Sequence, residues 1–149
     1  MIQKLNHKNH SIAEKMLPIF HASYAVEGKL LQAVDFPPLQ RQISDYMNTD
    51  TVFFGFWEEK ELAGVVELHI APKQVHIQSL VVDPNYFRRG IGRKLVQFVF
   101  GSFSSELFMV ETGAANGPAI ALYESFGFEE LLQWNTSHGI RKVRFEKKT

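Results

Sequence analysis

The segment Arg88-Arg89-Gly90-Ile91-Gly92-Arg93-Lys94 places two glycines among four basic side chains, just where a β-branched run gives way to an amphipathic helical pattern. The first N–H groups of a helix lack internal partners and sit at the positive end of its dipole. Glycines remove Cβ atoms, so a phosphate can approach the backbone closely. The chemistry indicated is anion binding. A P-loop requires a glycine five residues before Gly92 and a hydroxyl residue after its lysine, but Phe87 and Leu95 stand there. The dinucleotide fingerprint requires a third glycine where Leu95 stands. Both common nucleotide motifs fail, and a plain glycine turn with solvated basic residues stays open on these residues alone.

A second cluster comes from strand periodicity. If the runs Leu62–Ile70 and Val75–Val82 form a hairpin around Pro72-Lys73, His69 faces His76 and Glu67 faces Gln78 on one side. Val66, Leu68, Ile70, Val75 and Ile77 then form an apolar opposite side. The polar side is either a wet hairpin surface or a site for proton transfer. A change of register by one residue would dissolve it.

The elements that must hold these groups follow in order. Ser11 with Glu14 reads as a capping box ahead of a helix carrying Ile12, Met16, Ile19, Phe20 and Tyr24, which Pro18 is expected to kink or shorten. A short helix is expected near Leu39–Met47, started by Pro38. Strands follow over Thr51–Trp57, Leu62–Ile70 and Val75–Val82, then a helix from the glycine turn and a strand near Leu107–Glu111. A helix over Pro118–Ser125 stopped by Gly127, and a last strand around Val143 and Phe145, complete the chain. This order predicts an α/β mixed sheet with helices packed on it.

Two blocks carry a family resemblance. Leu80-Val81-Val82-Asp83-Pro84-Asn85-Tyr86-Phe87-Arg88-Arg89-Gly90-Ile91-Gly92 resembles the Q/R-x-x-G-x-G/A coenzyme motif of the GNAT acetyltransferases. Asn116-Gly117-Pro118-Ala119-Ile120-Ala121-Leu122-Tyr123-Glu124-Ser125-Phe126-Gly127-Phe128 resembles the family's N-x-x-A-x-x-L-Y-x-x-x-G-F signature. The resemblance covers Thr51–Phe128 well and the amino-terminal helices loosely. It departs at Phe87, where glutamine or arginine is usual.

The resemblance implies a mostly antiparallel sheet with a central parallel splay that holds acetyl-CoA as the acyl donor. It implies pantetheine contacts from Leu80, Val81 and Val82, and pyrophosphate contacts from Arg88, Arg89, Gly90, Ile91, Gly92, Arg93 and Lys94. Asn116 matches a position that bonds the pantetheine or orders the site, and Tyr123 matches the usual general acid. As residues alone, Tyr123 also suits a core aromatic at helix spacing from Ala119 and Phe126. Several relatives place a carboxylate base where His76 stands; an imidazole suits base work near neutral pH, and Glu67 acting through water is its rival. The acceptor side is bordered by Tyr24, Glu27 and Phe36, an aromatic wall and a carboxylate for a cationic amine.

The implied activity is transfer of an acetyl group to a primary amine of a small molecule, peptide or protein. The alternative is a non-catalytic acyl-CoA sensor with the same fold. Family members often form homodimers, and no residue here argues the point. Composition bounds the rest. The 149 residues suit one domain over 1–149, and their formal charge of zero carries no basic excess for nucleic acid. The absence of cysteine excludes disulfides, zinc thiolates and a cysteine nucleophile. The six histidines show no metal spacing, and His7 and His10 are expected in a mobile terminus. No signal-like or membrane-length apolar run occurs, so a soluble, cytoplasmic protein is expected.

Overall fold

The computed structural model describes residues 1–149. Seven strands form one sheet in the order β1-β2-β3-β4-β5-β7-β6. They are β1 (Ile2–Leu5), β2 (Val52–Glu58), β3 (Glu61–Ala71), β4 (Gln74–Val82), β5 (Leu107–Gly113), β6 (Glu129–Asn135) and β7 (Arg141–Lys148). The helices are α1 (His10–Leu30), α2 (Ile43–Asn48), α3 (Ile91–Ser102) and α4 (Gly117–Ser125). Every strand pair is antiparallel except β4–β5. The expected mixed sheet with a central parallel pair is therefore observed.

Alternation along β3 and β4 divides the core. Val66, Leu68, Val75 and Ile77 pack under α3 and α4, whose Leu95, Val96, Val99 and Tyr123 meet them. Val65 and Val81 face the other way, into Met16, Ile19 and Phe20 of α1 and Tyr46 of α2. Helices thus cover both faces, and each buried aliphatic side chain contributes about 1.5–3 kcal/mol of transfer free energy.

The amino-terminal expectations need correction. Asn9, not Ser11, caps α1: its side chain accepts from the N–H groups of Ser11 (2.9 Å) and Ile12 (3.3 Å). Pro18 lies inside α1, yet the helix continues to Leu30, because the buried stripe of Ala13, Met16, Ile19 and Phe20 spans both sides of it. The single short helix expected near Leu39–Met47 is instead a 3₁₀ turn over Pro37–Gln40 followed by α2. The terminus is not loose. β1 pairs with β2 from Ile2↔Phe56 to Leu5↔Phe53, and buried His7 packs on Phe53 at 4.9 Å. The strand β6 was not expected either. It is exposed along almost its whole length, so no alternation signals it, and its pairing with β7 defines it.

The β3–β4 hairpin carries the register that matters most. His69 faces His76 as expected, but Leu68 pairs with Ile77 and Glu67 with Ser79, leaving Gln78 as a bulge. Glu67 therefore faces Ser79, not Gln78. The bulge falls where the parallel pairing stops: β4 and β5 are bonded from Gln74↔Leu107 to Ile77↔Val110 and part beyond it.

Candidate active site

The gap between β4 and β5 is bridged by one turn of α1. Tyr24 and Glu27 are three residues apart and share a helix face. The Tyr24 hydroxyl donates to Ser79 Oγ of β4 at 3.2 Å. Glu27 Oε1 accepts from Thr112 Oγ1 of β5 at 3.3 Å. Leu31 fastens the end of this helix on Gly113, where any Cβ would lie 2.3 Å from Leu31 Cδ2. Phe36 returns along Gly28 and meets the Tyr24 ring edge-on, with centroids 5.8 Å apart.

From Ser79 the hydrogen bonds run inward. Ser79 Oγ donates to Glu67 Oε1 (2.9 Å), Thr51 Oγ1 to Oε2 (2.6 Å), and the two terminal nitrogens of Arg41 to both oxygens at 2.8 Å. Burial alone would raise the Glu67 carboxyl, which is 1% exposed, but the Arg41 guanidinium with Thr51 and Ser79 holds it below the usual carboxylate range. Arg41 in turn lies 4.3 Å from the centre of the Tyr46 ring. Glu67 is ionised, and both its oxygens are already occupied.

On the far side of the gap, Asn116 caps α4 by accepting from Ala119 N–H and donates to Thr112 Oγ1, both at 3.3 Å. Gly117, Pro118 and the cap start α4, which places buried Tyr123 on the cavity wall. Burial pushes the Tyr123 hydroxyl well above its ordinary value, and Tyr24 and Glu27 nearby add to the shift. It is a neutral O–H donor. Burial pulls the His76 imidazole below 6.5, against the opposing charge of Glu111, so the ring is neutral at pH 7.

A cavity of about 770 Å³ joins these groups. Tyr24, Glu27, Phe36, Glu67, His76, Leu80, Asn116 and Tyr123, all expected at the site, line it together. Val81 does not: its side chain is buried against α1, so only its backbone faces the gap side of β4. Arg41, Ser79, Thr112, Glu111, His138 and Lys142 also line it and were not anticipated. Their partners lie far along the chain, as with Arg41 and Glu67, so no local spacing marks them.

The glycine turn lies beyond the cavity. Asp83 Oδ1 accepts from Asn85 N–H and opens a 3₁₀ turn, after which Arg88 (φ 66°) and Gly90 (φ 74°) both adopt left-handed backbone ahead of α3. Three of the four basic side chains there are fastened to the protein. Arg89 lies over Tyr86, Arg93 over Phe126 with a 3.0 Å bond to Ser125 Oγ, and Lys94 over Phe56. Arg88 and Phe87 are exposed. Ile91 is buried in the core beneath α3 and can offer a ligand only its backbone.

A parted parallel strand pair, a helix N-terminus beyond it and a buried tyrosine lining the cavity match what the acetyltransferase resemblance implies for an acyl-coenzyme A domain. The chain belongs to the acetyltransferase (GNAT) family, whose model matches residues 14–128. It is 32% identical over 141 residues to the UPF0157 protein YqkA of Bacillus subtilis, covering 94% of this chain and 41% of that protein. It is 27% identical over 112 residues to the [Ribosomal protein bS18]-alanine N-acetyltransferase of Escherichia coli, covering 73% of this chain and 74% of that one. The chain thus spans about two-fifths of YqkA, and less of a Mycobacterium leprae relative. Among solved structures, the Escherichia coli ribosomal-protein-S18-alanine N-acetyltransferase superposes with a TM-score of 0.77 at 20% identity, over 99% of this chain and 92% of that one. A Thermoplasma acidophilum N-acetyltransferase in complex with coenzyme A superposes at 0.76 with 17% identity, over 100% and 98%. No helix here is long and apolar enough to cross a membrane.

Proposed function

We propose that this domain transfers the acetyl group of acetyl-CoA to a primary amine by direct attack on the thioester. The observation that supports it best is the continuity of one cavity from the β4–β5 gap, past Tyr123 and Asn116, to the wall of Tyr24 and Phe36. In this reading Leu80, Val81 and Val82 align the pantetheine through their backbone. The α3 N-terminus, from Arg88 to Lys94, receives the pyrophosphate.

Each polar group then has one task. His76, neutral and half-buried, takes the proton of an arriving ammonium. Tyr123 gives its proton to the departing thiolate. Backbone N–H groups freed where β4 leaves β5 can stabilise the oxyanion. Glu67 holds Arg41, Thr51 and Ser79, and through Ser79 the Tyr24 ring, so it orders the acceptor wall and does not act as base. The acceptor is a small-molecule, peptide or protein amine, and the cytoplasm is the compartment in which acetyl-CoA would meet it.

The test is thiol release from acetyl-CoA with a panel of amines: a hexapeptide beginning with alanine, spermidine and free amino acids. The alanyl peptide is included because one relative is named for alanine acetylation. Acceptor-dependent release is expected from at least one. Coenzyme binding in calorimetry without any release would instead establish a sensor.

A further inference from the structure

Four carboxylates line the cavity, and three of them are held by an arginine or by a helix cap. Glu67 is ion-paired to Arg41. Glu111 lies 3.7 Å from an Arg144 nitrogen. Asp45 accepts the Gln42 N–H at 2.7 Å and caps α2. Glu27 has no ion-pair partner within 4.0 Å; its partners are neutral, the Thr112 hydroxyl at 3.3 Å with the Asn116 side chain and the Gly113 N–H beside it. It is also the carboxylate carried across the gap, since its own helical turn holds β4 through Tyr24 and Ser79 while Glu27 holds β5. Tyr123 reaches the same gap from α4, on the opposite face of the sheet from α1.

We propose that Glu27 is the base that removes the proton shed by the acceptor nitrogen as its bond to the acetyl carbon forms, an assignment that rests on the acetyltransferase reading. An ammonium acceptor must lose two protons to become an amide. His76 takes the first, which frees the nitrogen lone pair. That pair attacks the thioester carbon, the C–N bond forms and the carbonyl pair moves onto oxygen. The second nitrogen proton passes to Glu27. The oxygen pair returns, the C–S bond breaks with its electrons on sulfur, and Tyr123 supplies the thiol proton. Glu27 returns its proton through water to the Tyr123 phenolate, while the His76 proton leaves to solvent. The balance is one amide, one thiol and one proton. Base and acid approach from opposite faces, so nitrogen can enter on the α1 side as sulfur departs on the α4 side.

The surroundings suit this task. Burial raises the Glu27 carboxyl above its ordinary 4.5, partly offset by Asn116, Thr112, the charge of Lys142 on β7 and the Gly113 N–H. Tyr24 on the same helix and Tyr123 on α4 are the other titratable groups coupled to it, and both are neutral. A carboxylate raised toward neutrality is a better proton acceptor than one held low.

The experiment compares wild type with Glu27→Gln, which keeps the size and the oxygen facing Thr112, using the amine of the panel that wild type turns over fastest. Expected is a fall in kcat of about 100-fold or more with acceptor KM nearly unchanged. Acetyl-CoA affinity by calorimetry should be retained, and the acid limb of log kcat should drop from a slope of two toward one. A raised acceptor KM at unchanged kcat would overturn the proposal and leave Glu27 a contact for the ammonium. Lost coenzyme affinity would overturn it in favour of a role in ordering the gap. If wild type releases no thiol with any amine, the acetyltransferase reading itself fails and this proposal goes with it.

Discussion

Arg41 grips Glu67 with two parallel hydrogen bonds, each 2.8 Å long, and this pair ties the connection between α1 and α2 to the centre of the sheet. The carboxylate is nearly inaccessible while the guanidinium is about a quarter exposed. Removing the arginine would strand a buried charge, which costs far more than losing a surface pair. Arg41→Ala should therefore destabilise the domain by about 3–5 kcal/mol, read as a shift in urea midpoint. Glu67→Gln should cost less.

The same pair sets an acid limit. The Glu67 carboxyl is lower in the folded than in the unfolded chain, so it contributes stability above the ordinary carboxylate pKa near 4.5. That contribution is lost as pH falls through the lower folded value. Thermal midpoints measured from pH 7 to pH 3 should fall more steeply for wild type than for Glu67→Gln over the acidic end.

Tyr123→Phe keeps the ring contacts with Phe128 and Phe145 and removes only the hydroxyl. If the hydroxyl protonates the thiolate, kcat should fall by about 100-fold with KM for acetyl-CoA almost unchanged. Unchanged turnover in a thiol-release assay would leave Tyr123 as a core aromatic.

His76 is depressed by burial, so its neutral form is favoured in the fold and persists to pH values below the ordinary imidazole pKa of 6.5. His76→Gln should lower kcat/KM most near pH 6–7 and much less above pH 9, where an amine acceptor arrives already neutral. A uniform loss across the pH range would contradict a base role.

Arg88 holds a left-handed backbone without being glycine, a conformation that costs of order 1 kcal/mol. Its side chain, unlike those of Arg89, Arg93 and Lys94, lies on no aromatic ring. Arg88→Gly should raise the thermal midpoint by about 3 °C. It should also raise KM for acetyl-CoA at constant kcat, if the guanidinium meets a coenzyme phosphate. A lower midpoint would show that the backbone is not strained there.

Much of the fold was legible because its signals are local. Alternation over Leu62–Ile70 and Val75–Val82 marked the hairpin, and the His69–His76 pair followed from counting back from its turn. The glycine turn and the helix after it, and the helix from Pro118, were readable because a helix start is written in the few residues around it. The errors fall where context decides. β6 has no buried face, and β1 is four residues long with one buried side chain. Pro18 should interrupt a helix in isolation, but packing of the stripe around it keeps α1 intact.

The family motifs, the starts of α3 and α4, and the faces of the β3–β4 hairpin between its turn and the Gln78 bulge were settled by the sequence itself, since they depend on spacing of two, three or four residues. Tertiary structure alone decided which groups meet at the gap. The Gln78 bulge moved Glu67 opposite Ser79, Arg41 came from a distant loop to neutralise it, and one turn of α1 laid Tyr24 on β4 and Glu27 on β5. Those contacts join residues 12 to 85 positions apart. Burial and partnership, which separate the ion-paired carboxylate of Glu67 from that of Glu27 with its neutral partners, exist only once the sheet is closed over by its helices.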